Sequence, residues 1–321
     1  MNRKDLYRSF NEVDDDILER SEIAYNKAGI KKPFRWKRFM TIAACIALCM
    51  GTVLTAEATG GSVSNLLAPL FGFAQTELVD EIGKPIGVSD SADGYIITAD
   101  AVIGDRYNVA VVYTLKREDG QPITDKLYFE DWKTNMIGNS SGSGSFYSVV
   151  DKNNPNEISF IESWSASTPL FGRYVTATFS NLSIYREGED GTVIAKGPWE
   201  LHYTLRYKDS TISVPAKKLN VTDDARKEYQ INKILLSTIG LHIQGIIFDP
   251  VWGQEDMLDH FKVSIRKVDG RVIDMQNTSK GYSFAQNDTS ADIRFEAMFP
   301  QPIPTSEIEA VIVCGMEIPV P

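Results

Sequence analysis

From Phe39 to Ala56 the chain carries no charged residue, and the eight residues before it, Lys31-Lys32-Pro33-Phe34-Arg35-Trp36-Lys37-Arg38, hold five cations. As a helix this run rises about 27 Å, close to the roughly 30 Å hydrocarbon thickness of a bilayer. After it no Lys or Arg occurs until Lys84, whereas Glu57, Glu77, Asp80 and Glu81 are acidic. The excess of cations before the span places residues 1–38 in the cytoplasm and everything after Ala56 outside, as a single-pass protein of the cell membrane. Two other readings of the run compete. In a cleaved signal peptide, Ala56-Glu57-Ala58 would be the small-residue site, but a 38-residue arm is long for a secretory n-region. In a lipoprotein, Ile42-Ala43-Ala44-Cys45 would be the modified site, yet only Phe39 to Ala44 would precede it as apolar region.

The inside arm reads as an amphipathic helix. Leu6, Phe10, Val13, Ile17, Ala24 and Ala28 fall along one stripe, and Asp14, Asp15, Asp16, Glu19 and Glu22 give the arm an acidic character. Asn11 is a candidate N-cap for a second helical segment, and Gly29 with Pro33 closes it. A lone helix of this length is marginal in water, so the stripe needs a cover. The membrane surface, self-association and a cytoplasmic protein all qualify. The residues expected to bind such a protein are Leu6, Phe10, Val13, Asp14, Ile17 and Glu19.

Beyond the span, Gly60-Gly61-Ser62 forms a joint, and Val63, Leu66, Leu67, Leu70, Phe71 and Phe73 make a short apolar stretch broken by Pro69 and Gly72. This segment either lies on the lipid or packs beneath the first outer domain. From Gly94 the period becomes two. Tyr95–Val102 and Tyr107–Leu115 read as paired strands joined around Gly104-Asp105. In Trp199–Tyr207 every odd position is large and apolar and the even ones are Glu, His, Thr and Arg. Such alternation puts one face in a core and the other in water. Asp119-Gly120, Asp190-Gly191 and Asp269-Gly270 are turn signals, and Gly138–Ser145 reads as a solvated Gly/Ser loop.

The fold expected is therefore mainly β. An N-terminal amphipathic arm (1–38), a transmembrane helix (39–56) and a juxtamembrane segment (57–80) precede two antiparallel, immunoglobulin-like β-sandwich ectodomains, 81–222 and 223–321. The boundary between these is expected in the charged stretch Val221–Glu228. A net charge of −10 argues against direct nucleic-acid binding. Cys45 and Cys49 lie in the span and leave Cys314 alone outside, so no intramolecular disulfide can form there. Cys314 reads as a small hydrophobe in an apolar strand.

No catalytic constellation, cofactor motif or metal motif is expected. Gly138-Asn139-Ser140-Ser141-Gly142 matches the hydrolase-elbow pattern but lacks the strand and helix that motif needs. His202, His242 and His260 lack the spacing of zinc ligands and read as surface or edge residues. The acidic clusters Asp14-Asp15-Asp16, Asp223-Asp224 and Asp288 with Asp292 lack the pattern of a calcium loop.

The stretch Asp93–Tyr113, DGYIITADAVIGDRYNVAVVY, and the preceding Leu70–Asp80, LFGFAQTELVD, resemble an ectodomain family of Gram-positive bacteria known as a domain of unknown function. The resemblance covers about residues 35 to 120, with a looser likeness in the C-terminal part. Its members are typically single-span proteins with a short cytoplasmic arm, many of them assigned as anti-sigma factors of the extracytoplasmic-function type. The resemblance implies an arm that holds a sigma factor at the membrane and an ectodomain that senses or scaffolds, meeting an extracellular ligand. It transfers no catalytic residue, and the arm is short for such a clamp. The alternative is an anchored cell-surface binding or envelope-structural protein that holds no sigma factor.

Overall fold

Alternating sequences of this kind satisfy their backbone in ladders, and the computed structural model is mainly β. It describes residues 62–72, 75–137, 142–149, 154–187, 191–249, 258–275, 279–284 and 289–321. The expected arm and span, with Leu6, Phe10, Val13, Asp14, Ile17 and Glu19, lie outside the described residues. Among the described residues no helix is long and apolar enough to cross a membrane.

Nine strands form the first pair of sheets: β1 (Lys84–Ala92), β2 (Tyr95–Gly104), β3 (Asn108–Arg117), β4 (Leu127–Met136), β5 (Gly142–Val149), β6 (Glu157–Ala166), β7 (Tyr174–Ile184), β8 (Thr192–Ala195) and β9 (Trp199–Thr204). One sheet has the order β1-β2-β3-β6-β5, and the facing one runs β4-β7-β8 with β9 also on β7. The expected Tyr95 and Tyr107 strands are neighbours, and β1 enters β2 through Asp93-Gly94, whose φ angles of 50° and 82° suit a primed two-residue turn. The inward residues of both sheets, among them Tyr113, Phe129, Phe160, Phe179 and Trp199, form one core. In β9 the odd positions are buried as expected; the strand ends at Thr204, yet Leu205 and Tyr207 continue into the same core, and Tyr207 donates its hydroxyl to the Asp105 carbonyl at 2.7 Å.

Strands β10 (Ile212–Val214), β11 (Leu219–Thr222), β12 (Glu228–Leu236), β13 (Gly240–Phe248), β14 (Val263–Lys267), β15 (Val272–Asp274), β16 (Ser279–Phe284), β17 (Ser290–Met298), β18 (Ile308–Val313) and β19 (Met316–Pro319) form the second pair. Its sheets run β10-β12-β13-β17-β16, with β11 on β12, and β15-β14-β18-β19, and they enclose a separate core around Tyr229, Phe261, Phe295 and Phe299.

Two expectations change here. The charged stretch at the expected 222/223 boundary is a hairpin turn, since β11 pairs with β12. Asp223 accepts from the Lys227 amide at 2.9 Å and from the Tyr229 hydroxyl at 2.8 Å, so its charge serves a turn and not a linker. The chain passes between the sheet pairs at Leu205–Thr211. The second half of the expected Gly/Ser loop is the edge strand β5, which β6 holds by a ladder from Gly142 to Val149. Small residues with little β propensity are tolerated there because one side of the strand remains unpaired.

Three short helices, α1 (Val63–Leu66), α2 (Ala68–Phe71) and α3 (Thr76–Ile82), cover the outer face of the β1–β6 sheet. Leu67, Phe71, Val79 and Ile82 are buried against Ala101, Ile103, Ala110, Val112 and Ile161. A β-bulge between Ala99 and Ala101 turns Ala101 and Ile103 onto that face, alternation along β3 brings Ala110 there, and the small alanines let the helices approach. Asp80 staples the start of the cap, accepting from Ser62 Oγ at 2.7 Å and from the Ser64 amide at 2.6 Å. The apolar stretch from Val63 thus packs beneath the first sheet pair.

Candidate functional site at the junction of the sheet pairs

The turn after β2 is where the two sheet pairs meet. Asp105, only 4% exposed, accepts from the amides of Tyr107 at 2.8 Å and Asn108 at 2.7 Å, which is what an aspartate in a tight turn does locally. It also accepts from the Ser237 hydroxyl at 2.6 Å, and Ser237 belongs to the turn between β12 and β13. Ser237 Oγ in turn receives the Gly240 amide at 2.9 Å. A Cβ at Gly240 would stand 2.4 Å from the Ala297 carbonyl oxygen, so only glycine lets β13 and β17 approach here. Ile239 completes the contact by entering the apolar cluster under the helical cap. Burial raises the Asp105 pKa, and the four hydrogen bonds from Ser237, Tyr107 and Asn108 oppose that shift.

Next to this clamp lies His242, expected at a surface or edge and found 2% exposed. Alternation does direct it away from the core of its own sheet pair. The face it occupies is covered by Tyr107, whose ring stacks on the imidazole at 4.2 Å between centroids. Lys233 donates to the Tyr107 hydroxyl at 3.2 Å on the same face. Neither ring nitrogen of His242 has a hydrogen-bond partner. The nearest ionic group, Glu296 Oε1, is 3.5 Å from Nδ1, within ion-pair reach but too long for a good hydrogen bond. Glu296 stands directly across the ladder from His242 and is itself 8% exposed.

Glu296 faces a cleft of about 500 Å³. One wall is the outer face of β5 and β6, with Ser145, Tyr147, Ser163 and Ser165. The other is the end of β17, with Glu296, Met298 and Phe299, and Leu70 and Phe71 of the cap close it. The polar groups of one wall and the carboxylate of the other therefore converge on a space bounded by apolar side chains, the usual composition of a small-molecule site.

The remaining sequence candidates are scattered. Ser140 lies outside the described residues, as does Asp288. His202 is exposed, with Nε2 3.1 Å from Glu200, and His260 is exposed. Asp224 pairs with Lys262 at the surface. Cys314 sits in the turn between β18 and β19 with φ 48°, not within a strand. It is half-buried against the second core, and burial pushes its thiol up to about 11. Among the described residues no three or more His, Cys, Asp or Glu side chains gather as metal ligands. Sequence reasoning passed over Glu296, Asp105 as a junction residue, and Glu162. The last is a buried carboxylate that accepts from Tyr113 at 2.8 Å and Trp164 at 2.6 Å inside the first core.

Three carboxylates, the buried Asp105 and Glu162 and the half-buried Asp100, give stability a definite pH dependence. Burial raises Asp100 to about 7, with the Thr114 hydrogen bond opposing, and also raises Asp105 and Glu162. Each holds its proton more tightly in the native state than in the unfolded chain. The associated stability is thus present below the unfolded value of 3.8 for Asp and is lost as pH rises through the folded value. Melting temperature should accordingly fall between about pH 4.5 and pH 7.5, and Asp100→Asn should flatten that slope. With solvent reaching the half-buried Asp100, its share is about 1–2 kcal/mol. A slope identical in the variant, measured by calorimetry across that range, would remove Asp100 from the account.

Neither a protein-family model nor a curated protein matches the chain. Among solved structures, the crystal structure of the conserved domain protein from Bacillus anthracis is similar, with 14% identity, coverage of 72% of this chain and 76% of that one, and a TM-score of 0.50. At that identity the likeness concerns the fold alone.

Proposed function

We propose that the chain is a single-span membrane regulatory protein of the anti-sigma-factor type. Residues 1–38 lie in the cytoplasm, 39–56 cross the bilayer, and two immunoglobulin-like sandwich ectodomains stand outside. The observation that carries this reading is how soon the chain is captured after its apolar run. Ser62 is already held by Asp80 and Leu67 is fully buried, and the six peptide steps from Ala56 to Ser62 reach at most about 22 Å. A β-rich body tethered so closely to an uncharged span preceded by cations suits a membrane-proximal ectodomain that senses or scaffolds. In the arm, the stripe of Leu6, Phe10, Val13 and Ile17 offers an apolar contact, and Asp14 and Glu19 complement the basic surface that a sigma factor presents to DNA. The junction cleft favours a second reading, an anchored binding protein whose arm serves insertion only.

Purification of the full chain from its native membranes should recover a sigma factor. The double variant Leu6→Asp, Ile17→Asp should recover at least about tenfold less, because two apolar side chains of the contact stripe become charged. Protease added to whole cells should leave residues 1–38 intact. Absence of a sigma factor, or equal recovery with the double variant, supports the second reading, in which deletion of residues 1–28 is silent. Loss of the arm to external protease would overturn both topologies.

A further inference from the structure

We propose that the junction cleft is a binding site for a small molecule bearing a protonated amine on an apolar body. Glu296 would receive the cation, the hydroxyls of Ser145, Tyr147 and Ser163 would hydrogen-bond beside it, and Phe71 and Met298 would pack on the body. Neither membrane topology nor the role of the arm enters this inference.

Three observations converge on it. Glu296, a residue 8% exposed, lines the cleft with its carboxylate, and among the described lining residues there is no Lys, Arg or His to neutralise it. Among the described residues its ion-pair neighbour is His242, which lies beneath the cleft at 3.5 Å, and neither His242 nitrogen has a hydrogen-bond partner. A buried carboxylate left with so weak a partner gains most from a charge-assisted bond with an incoming cation. Second, the opposite wall supplies aligned hydroxyls. Ser145 and Ser163 are directly paired across the β5–β6 ladder, and Tyr147, two residues on, projects from the same face. Ser165 already donates to Asn108 at 2.7 Å, which ties this wall to the Asp105 turn. Third, Met298 follows Glu296 on the same face of β17, and Phe71 stands over both walls, so apolar contact flanks the carboxylate on two sides. An anion would meet the carboxylate without a compensating cation, and a neutral ligand would leave it unpaired.

The walls come from different sheet pairs, so an occupant spans them and adds to the contact made by Asp105 and Ser237. Binding should therefore also raise the melting temperature of the junction.

The test is a saturation-transfer NMR titration of the full chain in nanodiscs of zwitterionic lipid, with empty nanodiscs as the reference for partitioning. The probes are phenethylamine and its neutral and anionic counterparts, phenethyl alcohol and hydrocinnamate. Phenethylamine should bind at least about tenfold more tightly than either counterpart, and Glu296→Gln should weaken it by about tenfold or more. Ser145→Trp fills the cleft from an exposed edge strand and should abolish binding with no change in the unliganded melting temperature. If Glu296→Gln fails to fold, the probe ranking and Ser145→Trp decide. No binding of phenethylamine at millimolar concentration, equal binding of the three probes, or binding that survives Ser145→Trp would each overturn the proposal. Recovery of a sigma factor is independent of all these outcomes.

Discussion

Asp105→Ala is expected to separate the thermal unfolding of the full chain into two transitions and to cost about 3–5 kcal/mol at the junction. Asp105 is the acceptor on which both sheet pairs converge. Its removal leaves the amides of Tyr107 and Asn108, the Asn108 side-chain amide and the Ser237 hydroxyl without their common partner, all in a buried setting. The effect spreads through named contacts. Tyr107 carries the ring that stacks on His242, Asn108 accepts from Ser165, and Ser237 receives the amides of Ile239 and Gly240. Asp105→Asn keeps one acceptor oxygen but turns an NH2 toward donors, so its loss should be intermediate. Each sheet pair has its own core, so the polar clamp is expected to be what makes them melt together. Differential scanning calorimetry reads the result directly. One transition at an unchanged midpoint in Asp105→Ala would show that apolar contact through Ile239 suffices.

What could be read from the sequence follows the range of the interactions involved. Period-two alternation located β2, β3 and β9, because burial of one sheet face acts over a few neighbouring residues. The turn role of Asp105 was equally local, and its position beside Gly104 marked it. Its reach to Ser237, 132 residues away, was not marked by anything nearby. His242 shows the same limit from the other side. Its neighbours Leu241 and Ile243 point into the second core, so the outward position implied water, and only the arrival of Tyr107 from the other sheet pair makes it buried. The short β10 and β11 lack enough residues for a period, and the charge of Asp223 and Asp224 resembled a linker. In fact Asp223 is a turn cap that also receives the Tyr229 hydroxyl. Strand β5 has a loop's composition because it is an edge, where ladder pairing on one side is enough. Both walls of the cleft therefore come from segments whose sequence gives a misleading or silent signal, and the Glu296 carboxylate has meaning only once they meet.

Trp199→Ala should cost about 3–5 kcal/mol, among the largest losses available to a single substitution in the first core. The indole is fully buried on β9, its ring meets Phe129 edge-on at 5.5 Å, and Phe129 in turn contacts Phe160 and Phe179. Its Nε1 donates to the Tyr95 carbonyl at 3.0 Å, a bond from one sheet to the other. The surroundings cannot readily collapse into the space. Gly197, with φ 71°, lies against the ring so closely that a Cβ there would come within 2.6 Å of it, so that loop is already shaped to the indole. Trp199→Phe retains most of the apolar volume and loses the Tyr95 bond, which should limit the cost to about 1–2 kcal/mol. Trp199 shares no hydrogen-bond partner with Asp105, so the two losses should add to within about 0.5 kcal/mol. The clamp then determines how the core loss is expressed. With Asp105 intact, Trp199→Ala should lower one joint transition for both sheet pairs. In the double variant only the transition of the first pair should move, and the second should stay where Asp105→Ala alone leaves it. If both transitions shift together in the double variant, the sheet pairs are joined by more than the Asp105–Ser237 contact. In that case a ligand spanning the cleft would add little to a junction that is already rigid.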